Sequence, residues 1–166
     1  MKTLIMTVAV LATLKVPAVQ WTLDSNTLTS DNGWTLTLAT PKIDYSGTDE
    51  KRISADGILD LSEVKAQTGI KIVEIYQNVF GASSAANVKC PGITAVVFPE
   101  CLVQIGNYAF ANCTKLRSIS AFPESFKTLT YAFQNCTALK SAVDFSACVD
   151  MRVIGTSAFQ GCELVP

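Results

Sequence analysis

The nine residues "YAFANCTKL" at 108–116 return as "YAFQNCTAL" at 131–139 and, in shortened form, as "SAFQGCEL" at 157–164. A segment repeated at a near-fixed period means that one structural unit is used several times, each copy burying its apolar face against the next. Apolar-rich strand patterns precede each Ala-Phe pair: "ITAVVFPECLVQIGNYAF" from Ile93, "LRSISAFPESFKTLTYAF" from Leu116 and "LKSAVDFSACVDMRVIGTSAF" from Leu139. A weaker first copy, "LDLSEVKAQTGIKIVEIYQNVF" from Leu59, sets Leu59-Asp60-Leu61-Ser62 against Val143-Asp144-Phe145-Ser146. The anchoring phenylalanines are Phe80, Phe110, Phe133 and Phe159, spaced 30, 23 and 26 residues apart. Those spacings suit the coils of a leucine-rich-repeat solenoid.

Within a coil, Ile93, Val96 and Phe98 follow an L-x-x-L-x-L pattern that turns them inward and leaves Thr94, Ala95 and Val97 facing out of a short strand. Strands of successive coils are then expected to pair in parallel. Gly106 and Gly155 stand where the chain must turn before the Ala-Phe pair, and they are expected to supply a positive φ. Ala109, Ala132 and Ala158 are small enough to let coils approach, and the phenylalanines fill the space between. The copies are not identical: Thr130 replaces the glycine in one, Tyr76 in another, and Ser146 stands where Pro99 and Pro123 do.

These residues resemble the BspA-like (Treponema-type) leucine-rich repeats, whose strand, proline, Ile-Gly, Ala-Phe and Cys or Asn occur together in "ITAVVFPECLVQIGNYAFANCTKL". The resemblance covers about Leu59 to Pro166. It implies an α/β leucine-rich-repeat solenoid in a secreted or surface-exposed bacterial protein of the kind linked to adhesion or protein binding.

Upstream, Met1 to Ala18 has a lysine, an apolar run from Leu4 to Leu14 and then Val16-Pro17-Ala18, the layout of a cleavable signal peptide. The run is too short for a bilayer core. The mature chain is therefore expected outside the cytoplasm without a membrane span. Residues 19–57 read as a small β-hairpin, with its turn at Asp31-Asn32-Gly33, followed by a polar connector. Residues 58–166 read as about four repeats, open at the C-terminal end and able to self-associate there.

The chain has no histidine, which removes the commonest general base and most catalytic zinc sites. Loss of Lys2 and Lys15 with the leader would take the formal charge from −1 to −3, so no basic footprint for nucleic acid remains. Cys113, Cys136 and Cys162 share one place in the repeat and none has C-x-x-C spacing, so packing explains them better than metal or redox chemistry. A bond between neighbours in that column stays open to them. Cys101 and Cys148 share a second column with Ser125 between them, so a direct bond would skip a coil. Asn112-Cys113-Thr114 and Asn135-Cys136-Thr137 match the N-glycosylation pattern but recur with the repeat. Asp44, Asp49, Glu50 and Asp56 lack the spacing of a calcium loop and read as solvated linker charge.

The functional expectation is a non-enzymatic module without cofactor or metal. It would present Thr94, Val97, Arg117, Ser120, Lys140 and Asp144 to a protein or glycan ligand. A structural, self-assembling segment of a longer surface protein is the alternative, and an enzyme using carboxylates or a cysteine is the third reading.

Overall fold

Residues 18–39, 42–43 and 57–164 are described by the computed structural model. The leader as far as Pro17 and the cluster Asp44, Asp49, Glu50 and Asp56 lie outside them.

At the N-terminus the alternation of Thr with Leu and Trp builds three antiparallel strands rather than two. They are β1 (Trp21–Asp24), β2 (Thr27–Ser30) and β3 (Thr35–Ala39). In β3 the even positions Leu36 and Leu38 are buried and the threonines are half-buried, the period-2 signature of a sheet with one covered face. The added strand arises at Ser25-Asn26, where Ser25 takes φ 54° and the chain reverses in two residues. At the Asn-Gly step only Gly33 has a positive φ, 94°. Its N–H donates to Ser30 O at 3.0 Å and Ser30 N–H donates to Trp34 O at 2.9 Å, giving a three-residue loop with a left-handed glycine in place of a two-residue turn. Ser30 Oγ donates to Asn32 Oδ1 and accepts from Trp34 N–H, which fixes the longer loop.

The chain then changes from antiparallel to parallel pairing. β4 (Lys42–Ile43) runs antiparallel to β3 and parallel to β6 (Glu74–Ile75). Beyond β6 the ladder continues in parallel through β8 (Gln104–Ile105), β10 (Thr128–Leu129) and β11 (Val153–Ile154). One eight-stranded sheet thus joins the N-terminal meander to the repeats. A second parallel ladder consists of β5 (Ile58–Asp60), β7 (Ala95–Val97) and β9 (Ser118–Ile119). The one α-helix among the described residues, α1 (Val64–Thr68), follows β5 and ends at Gly69, whose N–H donates to Lys65 O at 2.9 Å.

Inward positions agree from coil to coil. Ile43, Ile75, Ile105 and Leu129 line the first ladder, and Leu59, Val96 and Ile119 line the second, all buried. Between the ladders runs an aromatic column. Phe80, Phe110, Phe133 and Phe159 stack with centroids 5.0, 5.2 and 5.3 Å apart, the last two pairs within 2° of parallel. Trp34 closes the column edge-on to Phe80 at 6.3 Å and 89°. Its indole N–H donates to Ile58 O at 2.6 Å, so the meander is tied to both ladders. A shorter column, Phe98, Phe122 and Phe145, stacks at 4.8 and 4.5 Å.

Positive φ falls elsewhere than at the repeat glycines. Asn78, Tyr108, Tyr131 and Ser157, just before each anchoring pair, take φ between 52° and 61°. Gly106 and Gly155 do not have positive φ, and their role is close approach. A Cβ on Gly106 would stand 2.6 Å from the Gln77 backbone nitrogen, and one on Gly155 would collide with the Thr130 side chain. Asp60 Oδ1 accepts from Ser62 N–H and Asp144 Oδ1 from Ser146 N–H, so the weak first copy and the last copy make the same turn.

Burial fades in the last described coil. Ile154 is 52% exposed, whereas its counterparts Ile105 and Leu129 are 2% and 1% exposed. Phe159 is only half-buried, while Phe133 is fully buried between two rings. Phe133→Ala should therefore cost about 3–5 kcal/mol, the usual loss for a buried phenylalanine, and Phe159→Ala distinctly less. Urea unfolding of the two variants checks this; equal shifts in midpoint would refute the graded column.

Candidate functional site

The expected binding residues divide on the outer side of the second ladder. Thr94, Arg117 and Lys140 form a true column: Arg117 N–H donates to Thr94 O at 2.8 Å and Lys140 N–H to Arg117 O at 3.3 Å. Thr94 is half-buried because its side chain lies over Gly57, where a Cβ would collide with it. Arg117 and Lys140 are exposed. Lys140 Nζ lies 3.0 Å from Glu163 Oε2, whereas Arg117 makes no ion pair with the described residues. Exposed pairs such as Lys140–Glu163 contribute little to stability, so the column is free to vary without loss of the fold.

Val97, Ser120 and Asp144 do not continue that column equally. Val97 is half-buried in β7. Ser120 Oγ accepts from Phe98 N–H at 2.9 Å and donates to Ala121 O at 3.1 Å. Its hydroxyl thus replaces a backbone carbonyl where the strand has one extra residue, and it is occupied. Asp144 lies one step further on, because Phe122 N–H donates to Asp144 O and Phe122 stacks on Phe145. Its carboxylate accepts from Ser146 Oγ and N–H, which holds its pKa below the ordinary value. Thr94, Val97, Arg117 and Lys140 remain as the outward patch, with Ala95 and Ser118 between them.

One residue pair on the first ladder escaped the sequence reading. Glu74 points outward yet is only 7% exposed, and its carboxylate lies 2.7 Å from Lys42 Nζ. The same ammonium lies 5.4 Å from the Tyr76 ring centre, a cation–π contact. Nothing in the repeat marks Glu74, since Gln104, Thr128 and Val153 occupy the equivalent place in later coils.

The cysteine column holds four members, Cys90 in addition to Cys113, Cys136 and Cys162, and all six cysteines of the chain are free thiols. Cys90, Cys113 and Cys136 are buried; Cys162 is half-buried. Cys136 Sγ donates to Phe110 O and Cys162 Sγ to Phe133 O, each at 3.1 Å, so each thiol tethers its coil to the one before. In the other column Ser125 Oγ lies within hydrogen-bonding distance of Glu100 O and Leu102 O, and Cys148 Sγ donates to Pro123 O. Among the described residues, no group of three His, Cys, Asp or Glu is placed to hold a metal ion. Asn112 Nδ2 donates to Ala82 O at 2.8 Å and Asn135 Nδ2 to Asn112 Oδ1 at 3.1 Å. The nitrogens that would carry a glycan are thus committed to an amide ladder along the coils. Both asparagines sit at φ near 60°, a conformation asparagine tolerates better than most side chains.

Residues 61–165 match the family profile described as BspA type leucine rich repeat region, in six copies, a finer division than the four anchored periods. Among solved structures, the crystal structure of a leucine-rich repeat protein from Bacteroides ovatus is similar in fold, with a TM-score of 0.52 at 20% sequence identity. The alignment covers 92% of this chain and 34% of that one, so the present chain spans about a third of that protein's length. The comparison with curated proteins gave no match.

Burial raises the Cys113 thiol from 9.0 to about 12. A group whose pKa is higher folded than unfolded stabilises the fold fully below the unfolded value and loses that contribution as pH rises toward the folded one. Under reducing conditions, stability should therefore hold up to about pH 9 and fall between about 9 and 12, with the fall smaller in Cys113→Ala. Denaturant midpoints across that range test it. An equally steep fall in the variant would assign the alkaline loss to other groups.

Proposed function

The chain belongs to the BspA-type leucine-rich repeat family, and from that premise we propose that it is a secreted or cell-surface interaction module of bacterial type, with no catalysis. In this reading residues 1–18 are a signal peptide, 19–57 a leading β-segment with its connector, and 58–166 a solenoid whose outer strand face meets a protein or glycan ligand. The observation that carries the proposal is the contrast between the buried positions of one ladder and the column of residues beside its strands. Inward positions Leu59, Val96 and Ile119 keep one chemistry, while outward positions change from Thr94 to Arg117 to Lys140. Packing constrains the first set and leaves the second open to selection by a partner. Location outside the cytoplasm rests on the N-terminal sequence and the family. Among the described residues, no helix is long and apolar enough to cross a membrane.

Exposed apolar side chains in the last described coil favour a second reading, a structural segment that associates with copies of itself. Val149 is 73% exposed, Val153 47% and Ile154 52%. Concentration-dependent light scattering in the absence of any ligand distinguishes this reading from the first.

Arg117 is the decisive residue, because it is exposed, unpaired among the described residues and central in the column. Binding to arrays of immobilised acidic and neutral polysaccharides and purified secreted proteins should identify a ligand, and Arg117→Glu should weaken it about tenfold or more, equivalent to ~1.4 kcal/mol. The melting temperature should stay as in the wild type. Undiminished binding by Arg117→Glu removes the ligand from this face.

A further inference from the structure

The four-thiol column is uniform in sequence but not in environment. Its final pair combines contact, access and acidity. Phe133 O accepts both the Cys136 N–H at 3.2 Å and the Cys162 thiol at 3.1 Å, so one oxygen links the two residues. The coils that carry them are held in register on both sides. Phe133 N–H donates to Ala158 O at 2.9 Å, Asn135 N–H to Gln160 O at 2.6 Å, and the Phe133 and Phe159 rings stack at 5.3 Å. Neighbouring strands stand about 4.8 Å apart, inside the roughly 4.4–6.8 Å between Cα atoms that a disulfide spans. The two thiols are close enough for each to shift the other's acidity.

We propose that Cys136 and Cys162 form a thiol–disulfide switch that staples the last described coil to the coil before it. Cys162 is the entry point, since it is the half-buried member of the column and the other three are buried. The neighbouring Cys136 side chain lowers the Cys162 thiol below the ordinary value, while Cys162 and burial raise Cys136. The more acidic thiol of the pair is therefore the more accessible one, which is the arrangement that exchange with a small disulfide requires.

The oxidant is a small-molecule disulfide such as oxidised glutathione. The Cys162 thiolate attacks one of its sulfurs, forming a mixed disulfide and releasing one glutathione thiolate, which takes a proton from water. Cys136 then gives its proton to water and its sulfur attacks Cys162 Sγ. The Cys136–Cys162 bond forms and the second glutathione leaves. Two electrons pass from the protein thiols to the oxidant, which ends as two thiols. No carbonyl is orphaned: Phe110 O keeps the Cys113 N–H at 3.1 Å and Phe133 O keeps the Cys136 N–H. The competing pair, Cys113 with Cys136, has no accessible member.

The bond would close a loop that includes β11, the strand with exposed Val153 and Ile154, and so restrain the least buried coil. The test incubates the reduced full chain with oxidised glutathione under native conditions, followed by peptide mapping by mass spectrometry. A Cys136–Cys162 linked peptide lacking two hydrogens is expected, with amide exchange across residues 153–162 slowed about tenfold on oxidation. Cys136→Ala should trap a glutathione adduct on Cys162. Cys162→Ser, at the half-buried end of the column, should abolish both adduct and linkage. A Cys113–Cys136 bond in the native chain, a lasting adduct on wild-type Cys162, or no oxidation at all would overturn the proposal. If Cys136→Ala does not fold, Cys162→Ser decides, since any bond still formed by Cys136 in it would equally overturn it.

Discussion

A coil of this chain cannot bury its own phenylalanine. The ring of Phe110 is covered on one side by Phe80 and on the other by Phe133, so each coil supplies half of a contact that its neighbour completes. Every other regularity follows from keeping that stack at about 5 Å. The strands must pair in parallel at the same spacing, the residue beside each ring must be small, and the chain must reverse tightly before it. Stability in such an arrangement is a sum of coil-to-coil interfaces, so it depends on how many sides of a coil are covered. Phe133 has two ring neighbours in its column and is fully buried; Phe159 has one and is not. The same gradation separates Leu129 from Ile154.

The first ring needs a different solution from the others. Among the described residues no coil precedes that of Phe80, and a stacked ring would only present another bare face. Trp34 meets Phe80 at a right angle instead, with its N–H bonded to Ile58 O. The meander thus ends the aromatic column while extending the sheet, because β4 accepts β6 in parallel and β3 in antiparallel pairing. The Lys42–Glu74 pair sits at that junction. Its carboxylate is nearly buried and so needs its ammonium partner, which also spans the change of direction between the two kinds of pairing.

What the sequence disclosed was whatever recurs. The Ala-Phe anchors, the inward Ile and Leu positions and the cysteine column are legible because a fixed period exposes them, and the structure places Cys113 and Cys136 in the core with their aromatic neighbours. The meander was read one strand short, since Ser25-Asn26 is a weak turn signal and its reversal depends on pairing with β2 rather than on local preference. Gly106 and Gly155 were given the wrong physical role. Glycine serves both positive φ and close approach, and sequence alone does not separate them; here Tyr108 and Ser157 take the left-handed turn instead. On the outer face, Ser120 and Asp144 looked like free polar groups. One residue of extra strand length turns the Ser120 hydroxyl into a backbone substitute and shifts Asp144 out of the column.

These corrections bear on how such a surface can diversify. Polar side chains on a repeat face are of two kinds, those that repair irregularities in the coil and those that answer to nothing inside it. Ser120, Ser125 and Asp144 belong to the first kind, because each satisfies backbone groups of its own or an adjoining coil. Replacing them would leave donors or acceptors unmet, at a cost of roughly 1–3 kcal/mol apiece where the group is buried. Arg117 belongs to the second kind and can change with little cost to the fold. A partner can therefore select only among the second kind, and the width of a binding face is set less by how many residues point outward than by how regular the coils beneath them are. Where two coils keep register, as they do at Thr94 and Arg117 just before β7 and β9, the outward residues are released from structural duty. Where they do not, the fold claims them first.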